Sequence, residues 1–272
     1  MNCEELKSRH DELVRDAVAS DVPPVELCYR AVYGCSSGLP VAYRTFPVIN
    51  SLVAGRLTPS EYAFAASRSE TGIRLAYLSI RKALRHLHRF DRAGREPRFL
   101  AVSCPVSLLC REDLYDRVKR LLAEEKTENP SRLCLEFSQA ILSETSPQVR
   151  KSVLDLKLLH VRTLMRGAAA GDCPTSRLSE IPVDAVLLAP EITALTNDRN
   201  KPQLVPSLVQ YLKSMYTEVL AEGVVDDEQI RSLSRLDCAG YTPAASYCGS
   251  NPHTDALLSP EEALSQKGAE TE

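Results

Sequence analysis

The chain runs to 272 residues with a formal net charge of −3; 44% of its residues are apolar and 25% are charged. These are the proportions of a globular protein with a sizeable core, and they exclude a strong net field that would draw the chain to nucleic acid or an anionic membrane. No apolar run approaches the roughly 20 residues of a membrane span, and the charged opening MNCEELKSRHDELV lacks the apolar centre of a signal peptide, so the cytoplasm is the expected compartment.

In chain order, residues 1–22 read as a polar helical extension, 23–265 as a single barrel domain and 266–272 as a loose tail. Pro23-Pro24 leads into a strand over 25–33, VELCYRAVY, and the turn CSSG returns the chain as a second strand over 39–48. Strands joined so closely are antiparallel. TPSEY (58–62) carries the signals of a helix start: an N-cap threonine, proline at the first helical position and glutamate three residues after the cap. A helix follows over 73–89. Strands are then expected at 98–104, 133–138, 161–166, 185–189, 218–223 and 239–242. Helices alternate with them at 111–125, 147–159, 205–216 and 227–236, with a short one in SRLSEI (176–181). SPEEAL (259–264) reads as a capped terminal helix. The strands are near-continuous apolar runs, as when helices cover a parallel sheet or a barrel closes on itself. One antiparallel strand ahead of a long strand-helix series points to a modified TIM (β/α)8 barrel.

The nine cysteines form no CxxC pair and match no zinc spacing. Cys28, Cys104 and Cys134 lie in apolar strand-like runs and read as buried reduced thiols. The five histidines are scattered, with His86 and His88 in a basic helix and no third ligand near them in sequence. In TEVLAEGVVDDEQIRSL (217–233) a buried strand ends on Glu222 before Gly223. A carboxylate at the C-terminal end of a barrel strand is where barrel enzymes place metal ligands and bases.

Five stretches carry a family resemblance. YRAVYGCSSG is similar to YQPIVDLxTG, RLTPSEYAFAASRSETG to xxPxxFIPLAEETG, and LCLEFSQ to LxLEITE. IPVDAVLLAP is similar to LPVDxIKID, and TEVLAEGVVDDEQIRSLSRLDCAGY to xxVVAEGVExxEQxxxLxxLGCxxxQGY. In order, spacing and ends, residues 25–247 resemble the EAL domain family, bacterial phosphodiesterases of cyclic di-GMP. The resemblance implies an EAL-type barrel with one antiparallel strand. It also implies a site where two divalent cations, magnesium or manganese, activate water for attack on a phosphodiester.

Carried over residue by residue, the resemblance implies that most of this machinery is changed. Arg44-Thr45-Phe46 falls on the signature triplet, so Arg44 stands for the first metal-binding glutamate, and Val48 for the arginine that grips ligand phosphate. Ser103 falls on the asparagine of the NxS strand end. Glu136 is kept, but Gln139 takes the second glutamate of its motif. Arg166 and Gly167 fall on the paired aspartates, Leu187 on the lysine and Ala189 on the aspartate after it. Glu222 is kept, Val225 replaces the next glutamate, and Ala239 replaces the glutamine of QGY. Arginine keeps its charge at neutral pH and repels a divalent cation. The expectation is therefore a degenerate, catalytically inactive member with no bound magnesium or manganese.

Its expected role is regulation by binding another protein, such as a transcription or signalling regulator, or a second copy of itself, without direct nucleic-acid binding. The alternative is a non-hydrolysing receptor for cyclic di-GMP or another phosphorylated ligand, using Arg30, Arg44 and Arg166. A working phosphodiesterase is the least favoured reading. Charge balance adds one structural expectation. Glu136 and Glu222 match Arg44 and Arg166 in number, and arginine presents paired donors that suit a carboxylate. At least one of these arginines should ion-pair with one of these glutamates. The basic stretch RKALRHLHRFDRAGREPR (81–98) reads first as a solvated outer helix, and as a docking face for an acidic protein surface second.

Overall fold

The structure, a computed structural model, describes Glu12 and residues 25–51, 55–66, 70–171, 175–250, 253 and 255–266. The helical extension expected over 1–22 and the tail beyond 266 lie outside these, Glu12 apart.

Nine strands form one sheet: β1 (Val25–Tyr33), β2 (Pro40–Ser51), β3 (Gly55–Leu57), β4 (Leu100–Ser103), β5 (Leu133–Ser138), β6 (Arg162–Ala168), β7 (Ala185–Leu188), β8 (Glu218–Val224) and β9 (Gly240–Pro243). Their order is β1-β9-β8-β7-β6-β5-β4-β2-β3, and β1 also pairs with β2, which closes eight of the strands into a barrel. Strand β1 is antiparallel to both β2 and β9, and the run from β2 and β4 round to β9 is parallel. The modified TIM barrel with one antiparallel strand is thus the observed fold. Strand β3, a short hairpin partner on β2, lies outside the closed ring and was not expected.

The helices are α1 (Pro59–Ala66), α2 (Glu70–Arg92), α3 (Leu114–Glu124), α4 (Pro147–Leu158), α5 (Pro190–Thr193), α6 (Leu204–Ser214), α7 (Asp227–Arg235) and α8 (Pro260–Ser265). Helix α2 extends past the expected 73–89 at both ends. At its start Thr71, Gly72 and Ile73 are buried, so packing recruits residues that carry little helical periodicity of their own. Arg111, the extended residue that ends a 3-10 turn over 106–110, is not helical, so the helix expected over 111–125 begins at Leu114 and ends at Glu124. The short helix expected in SRLSEI is also 3-10, over Thr175–Ser179. At α1, Thr58 N–H donates to Glu61 Oε2 at 2.7 Å, the backward half of the expected cap. At α8, Ser259 and Glu262 complete a reciprocal capping box.

Helices cover the outside of the barrel through one large apolar cluster that includes Leu27, Val102, Leu135, Val186 and Ala221. Residues of opposite parity point inward. Ala42, Ala101, Cys134, Leu164, Ala185, Leu187 and Leu220 fill the interior as a second apolar cluster. Two residues on toward the C-terminal ends, the same inward face carries Arg44, Glu136, Arg166 and Glu222. The barrel is therefore an apolar plug capped by a charged layer.

Among the described residues no helix is long and apolar enough to cross a membrane. Cys28, Cys35, Cys104, Cys134 and Cys238 are buried and unbridged, consistent with the reading of small apolar side chains. Cys3 and Cys173 lie outside the described residues.

Candidate functional site: the charged barrel mouth

Register brings the site together. Arg44 pairs level with Ala101, Ser103 with Glu136, Ser138 with Arg166, and Glu222 with Thr242. The ladder shifts register after Arg166 and after Glu222. Such irregularities bend a strand and re-aim side chains at its end. Both shifts use a glycine with positive φ, Gly167 at +79° and Gly223 at +83°. At Gly223 a Cβ would also stand 2.9 Å from Cβ of Pro190, so the opening of α5 packs where only glycine leaves room.

Arg44 is the centre. Its side chain is 2% exposed and so is that of Glu136. Arg44 Nε donates to Glu136 Oε2 at 2.7 Å and Nη2 donates to Oε1 at 2.9 Å, a two-pronged pair. Its third nitrogen, Nη1, donates to Glu222 Oε1 at 2.6 Å. Arg166 stands at the rim with its Nε 3.5 Å from Glu136 Oε1 and its side chain 46% exposed. The expected arginine-glutamate pairing is present, and Arg44 makes it with both glutamates at once.

Two contributors were not anticipated. Asp255 enters the mouth from the segment before α8, and Arg30 Nε meets its Oδ1 at 2.9 Å and its carbonyl oxygen at 3.1 Å. The backbone of Leu258 exchanges hydrogen bonds of 2.8 and 2.7 Å with Tyr29, which fixes that segment against β1. Phe46 lies beneath two guanidinium groups, 5.3 Å from Arg30 and 5.4 Å from Arg44. Three arginines thus face three carboxylates. Nothing local in the sequence links Arg30 to Asp255, which lies 225 positions away; Phe46 was legible as part of the triplet, but not as a platform.

The electrostatics follow from burial. Desolvation alone would raise the Glu136 carboxyl; the charge and hydrogen bonds of Arg44, helped by Arg166 and Arg30, overcome it and hold the group below the ordinary carboxylate range. Burial would likewise lower the Arg44 guanidinium, and Glu136 and Glu222 reverse that and raise it. Asp255 is shifted up, first by burial and against the pull of Arg30, with Glu222 nearby adding to the rise.

A group whose folded pKa is depressed adds stability above its unfolded value and loses it as pH falls through the folded value. Glu136 should therefore contribute fully above the unfolded glutamate value of about 4.3, and the contribution should fade below it. Urea midpoints between pH 6 and pH 3 are expected to drop more steeply for the wild type than for Glu136→Gln. Parallel slopes would show that the pair does not carry this charge.

The remaining candidates are split. Leu187 lies in the apolar interior, and Ala239 packs against that cluster. Ala189 is buried just ahead of α5. Ser103 and Arg166 line a cavity of about 430 Å³ beside the mouth, together with Pro47, Ser107, Ser138 and Glu144. Gln139 stands over Gly167, and its buried Oε1 has no partner among the described residues. Of the three arginines named for an anionic ligand, Arg30 and Arg44 are committed to carboxylates and Arg166 alone is half-exposed.

A pair of divalent cations needs several free oxygen donors around each ion. Here both oxygens of Glu136 and one of Glu222 accept from a buried guanidinium. The side chains at the mouth do not fit such a centre. Among the described residues, no group of three or more His, Cys, Asp or Glu side chains stands together as a metal would require.

Residues 14–242 match the model of the family described as EAL domain. The chain belongs to the EAL domain family. Solved EAL structures share its fold at low sequence identity. EAL enzyme Bd1971, with cAMP and cyclic di-GMP bound, is 14% identical with a TM-score of 0.81, covering 97% of this chain and 69% of that one. The PaMucR phosphodiesterase in complex with cyclic di-GMP is 16% identical with a TM-score of 0.78, covering 94% and 99%. The FimX EAL domain of Xanthomonas citri, also in complex with cyclic di-GMP, is 16% identical with a TM-score of 0.75, covering 88% and 92%. No curated protein matches the chain.

The basic stretch of this EAL chain is largely neutralised in place. Arg81 pairs with Glu124 at 2.7 Å, Arg85 with Glu125 at 2.9 Å, Arg89 with Glu261 at 2.8 Å and Arg98 with Glu218 at 2.7 Å. Arg92 Nε donates to the carbonyl of His88 at 3.3 Å. These contacts favour the outer-helix reading over a continuous docking face.

Proposed function

We propose that this chain is a degenerate EAL-domain protein that regulates by binding another protein, and that it does not hydrolyse cyclic di-GMP. The observation that carries the reading is Arg44: a buried guanidinium holds the two glutamates that resemble the family's metal ligands, where a metal pair would need them free. The reading is supported by Arg166, Gly167 and Leu187, which by resemblance fall on further metal and catalytic positions and supply neither a carboxylate nor an amine. On this reading no magnesium or manganese is bound. The partner is a protein, such as a transcription or signalling regulator, or a second copy of the chain, and the cytoplasm is the proposed compartment.

One observation favours a second reading, a non-hydrolysing receptor. Arg166 is half-exposed beside the cavity with Ser103, Ser107 and Ser138, which together could hold a phosphorylated ligand. Calorimetry with cyclic di-GMP separates the two. Each lost contact to a charged group removes about 1.5–3 kcal/mol, so several losses should push a micromolar ligand beyond detection. No heat of binding at tens of micromolar protein is the expected result. Micromolar affinity would put the receptor reading first.

A further inference from the structure

The cavity beside the mouth, about 430 Å³, is lined by the C-terminal ends of β4, β5 and β6 and by residues of α1 and α2. Its walls are mostly apolar, with Pro47, Pro59, Leu75, Ala76, Pro105 and Val106. Two of its polar side chains are used internally. The Tyr62 hydroxyl donates to the Pro47 carbonyl, and Ser79 Oγ donates to the Leu75 carbonyl at 2.8 Å. Four other polar groups line the cavity and make no hydrogen bond among the described residues: the hydroxyls of Ser103 and Ser138, the Arg166 guanidinium and the Glu144 carboxylate. Arg166 and Ser138 stand level on neighbouring strands. Arg166 comes no closer than 3.5 Å to Glu136, beyond hydrogen-bond reach, and both oxygens of Glu136 already accept from Arg44. Its fork is free to take another carboxylate. Glu144 is exposed and enters no ion pair among the described residues.

One cation and one anion leave the cavity lining without net charge. That balance disfavours a simple anion, because Glu144 repels it, and a phosphate monoester with its two charges meets a single guanidinium. It favours a ligand that carries both signs. A carboxylate matches the Arg166 fork, and the hydroxyls of Ser138 and Ser103 add donors on the same strand ends. An ammonium group matches Glu144, and the apolar walls take up a side chain that gains by leaving water. The volume lies near the lower end of small-molecule sites, about 300–1,000 Å³, which suits a compact ligand better than a dinucleotide. We propose that this cavity binds a small zwitterion with an apolar side chain, either a free amino acid of the leucine or phenylalanine type or a dipeptide of such residues. The inference stands apart from both readings above, since it needs neither a protein partner nor a phosphorylated ligand.

The test is calorimetry of the 272-residue chain with phenylalanine and with the dipeptide Leu-Phe, beside analogues that each lack one feature. Of these, 3-phenylpropionate lacks the ammonium group, phenethylamine lacks the carboxylate and glycine lacks the apolar side chain. The expected result is saturable binding of phenylalanine or Leu-Phe, the tighter of the two fixing the ligand's size, and binding at least about tenfold weaker for every analogue. Glu144→Gln should weaken the zwitterion about tenfold and leave 3-phenylpropionate unchanged, and Arg166→Ala should weaken the zwitterion and leave phenethylamine unchanged. Circular dichroism melts should match the wild type; if Arg166→Ala melts lower, Glu144→Gln carries the comparison alone. Binding of neither zwitterion would overturn the proposal, as would equal binding of the singly charged analogues or unchanged binding in Glu144→Gln. Tighter binding of inorganic phosphate or cyclic di-GMP would also overturn it and give the cavity to a phosphorylated ligand.

Discussion

Arg44→Ala is expected to destabilise the fold by about 3–5 kcal/mol, the range for breaking a buried ion pair by removing one partner. The substitution leaves Glu136, 2% exposed, with both oxygens unmatched and Glu222 with one. Arg166 cannot replace the lost donor without moving, because it stands at the rim, 3.5 Å from one Glu136 oxygen. Removing the whole set should cost less. In Arg44→Met/Glu136→Leu/Glu222→Gln no buried charge is stranded, because Arg166, which loses Glu136, is half-exposed, and an apolar layer would extend the interior cluster of Leu164, Leu187 and Leu220. Desolvation offsets much of the attraction within a buried pair, so such replacements are often neutral or better. Urea denaturation of the wild type, the single variant and the triple variant gives the comparison. A single variant as stable as the wild type would show that Arg44 is not the structural counter-charge of the mouth.

The architecture was legible because the strands are apolar runs at regular intervals and the helix starts are written in capping residues. Strand β5 falls where LCLEFS reads it, and SPEEAL closes on its own capping box. What was not legible depends on tertiary packing. Strand β3 is three residues long and exists because β2 offers it an edge. Helix α2 gains turns because its first residues find a buried face. The same division runs through the site. Equal numbers of glutamates and arginines on strand ends were enough to expect an ion pair. The choice of Arg44 over Arg166 as the bridge was not readable, because it follows from depth: Arg44 sits inside the barrel, while Arg166 precedes a register shift at the rim. Asp255 was invisible for a related reason. Its role depends on the β1 edge that Leu258 covers, and no periodicity in the tail records that contact.

On the proposed reading a guanidinium stands where the family's chemistry needs cations, and the mouth serves as a structural plug. The expected effect on hydrolysis is all-or-none. Enzymes accelerate such reactions by factors of about a million or more, and if Arg44 keeps both carboxylates from a metal pair, no metal-bound water would supply that. The direct measurement is chromatographic assay of cyclic di-GMP conversion to the linear dinucleotide by the purified 272-residue chain, in saturating magnesium and separately in manganese, beside a protein-free control. The predicted result is no product above that control in either metal. Product that forms with the wild type and disappears in Glu222→Ala would contradict the account, since it would make Glu222 a working ligand and Arg44 its neighbour, not its substitute for a metal.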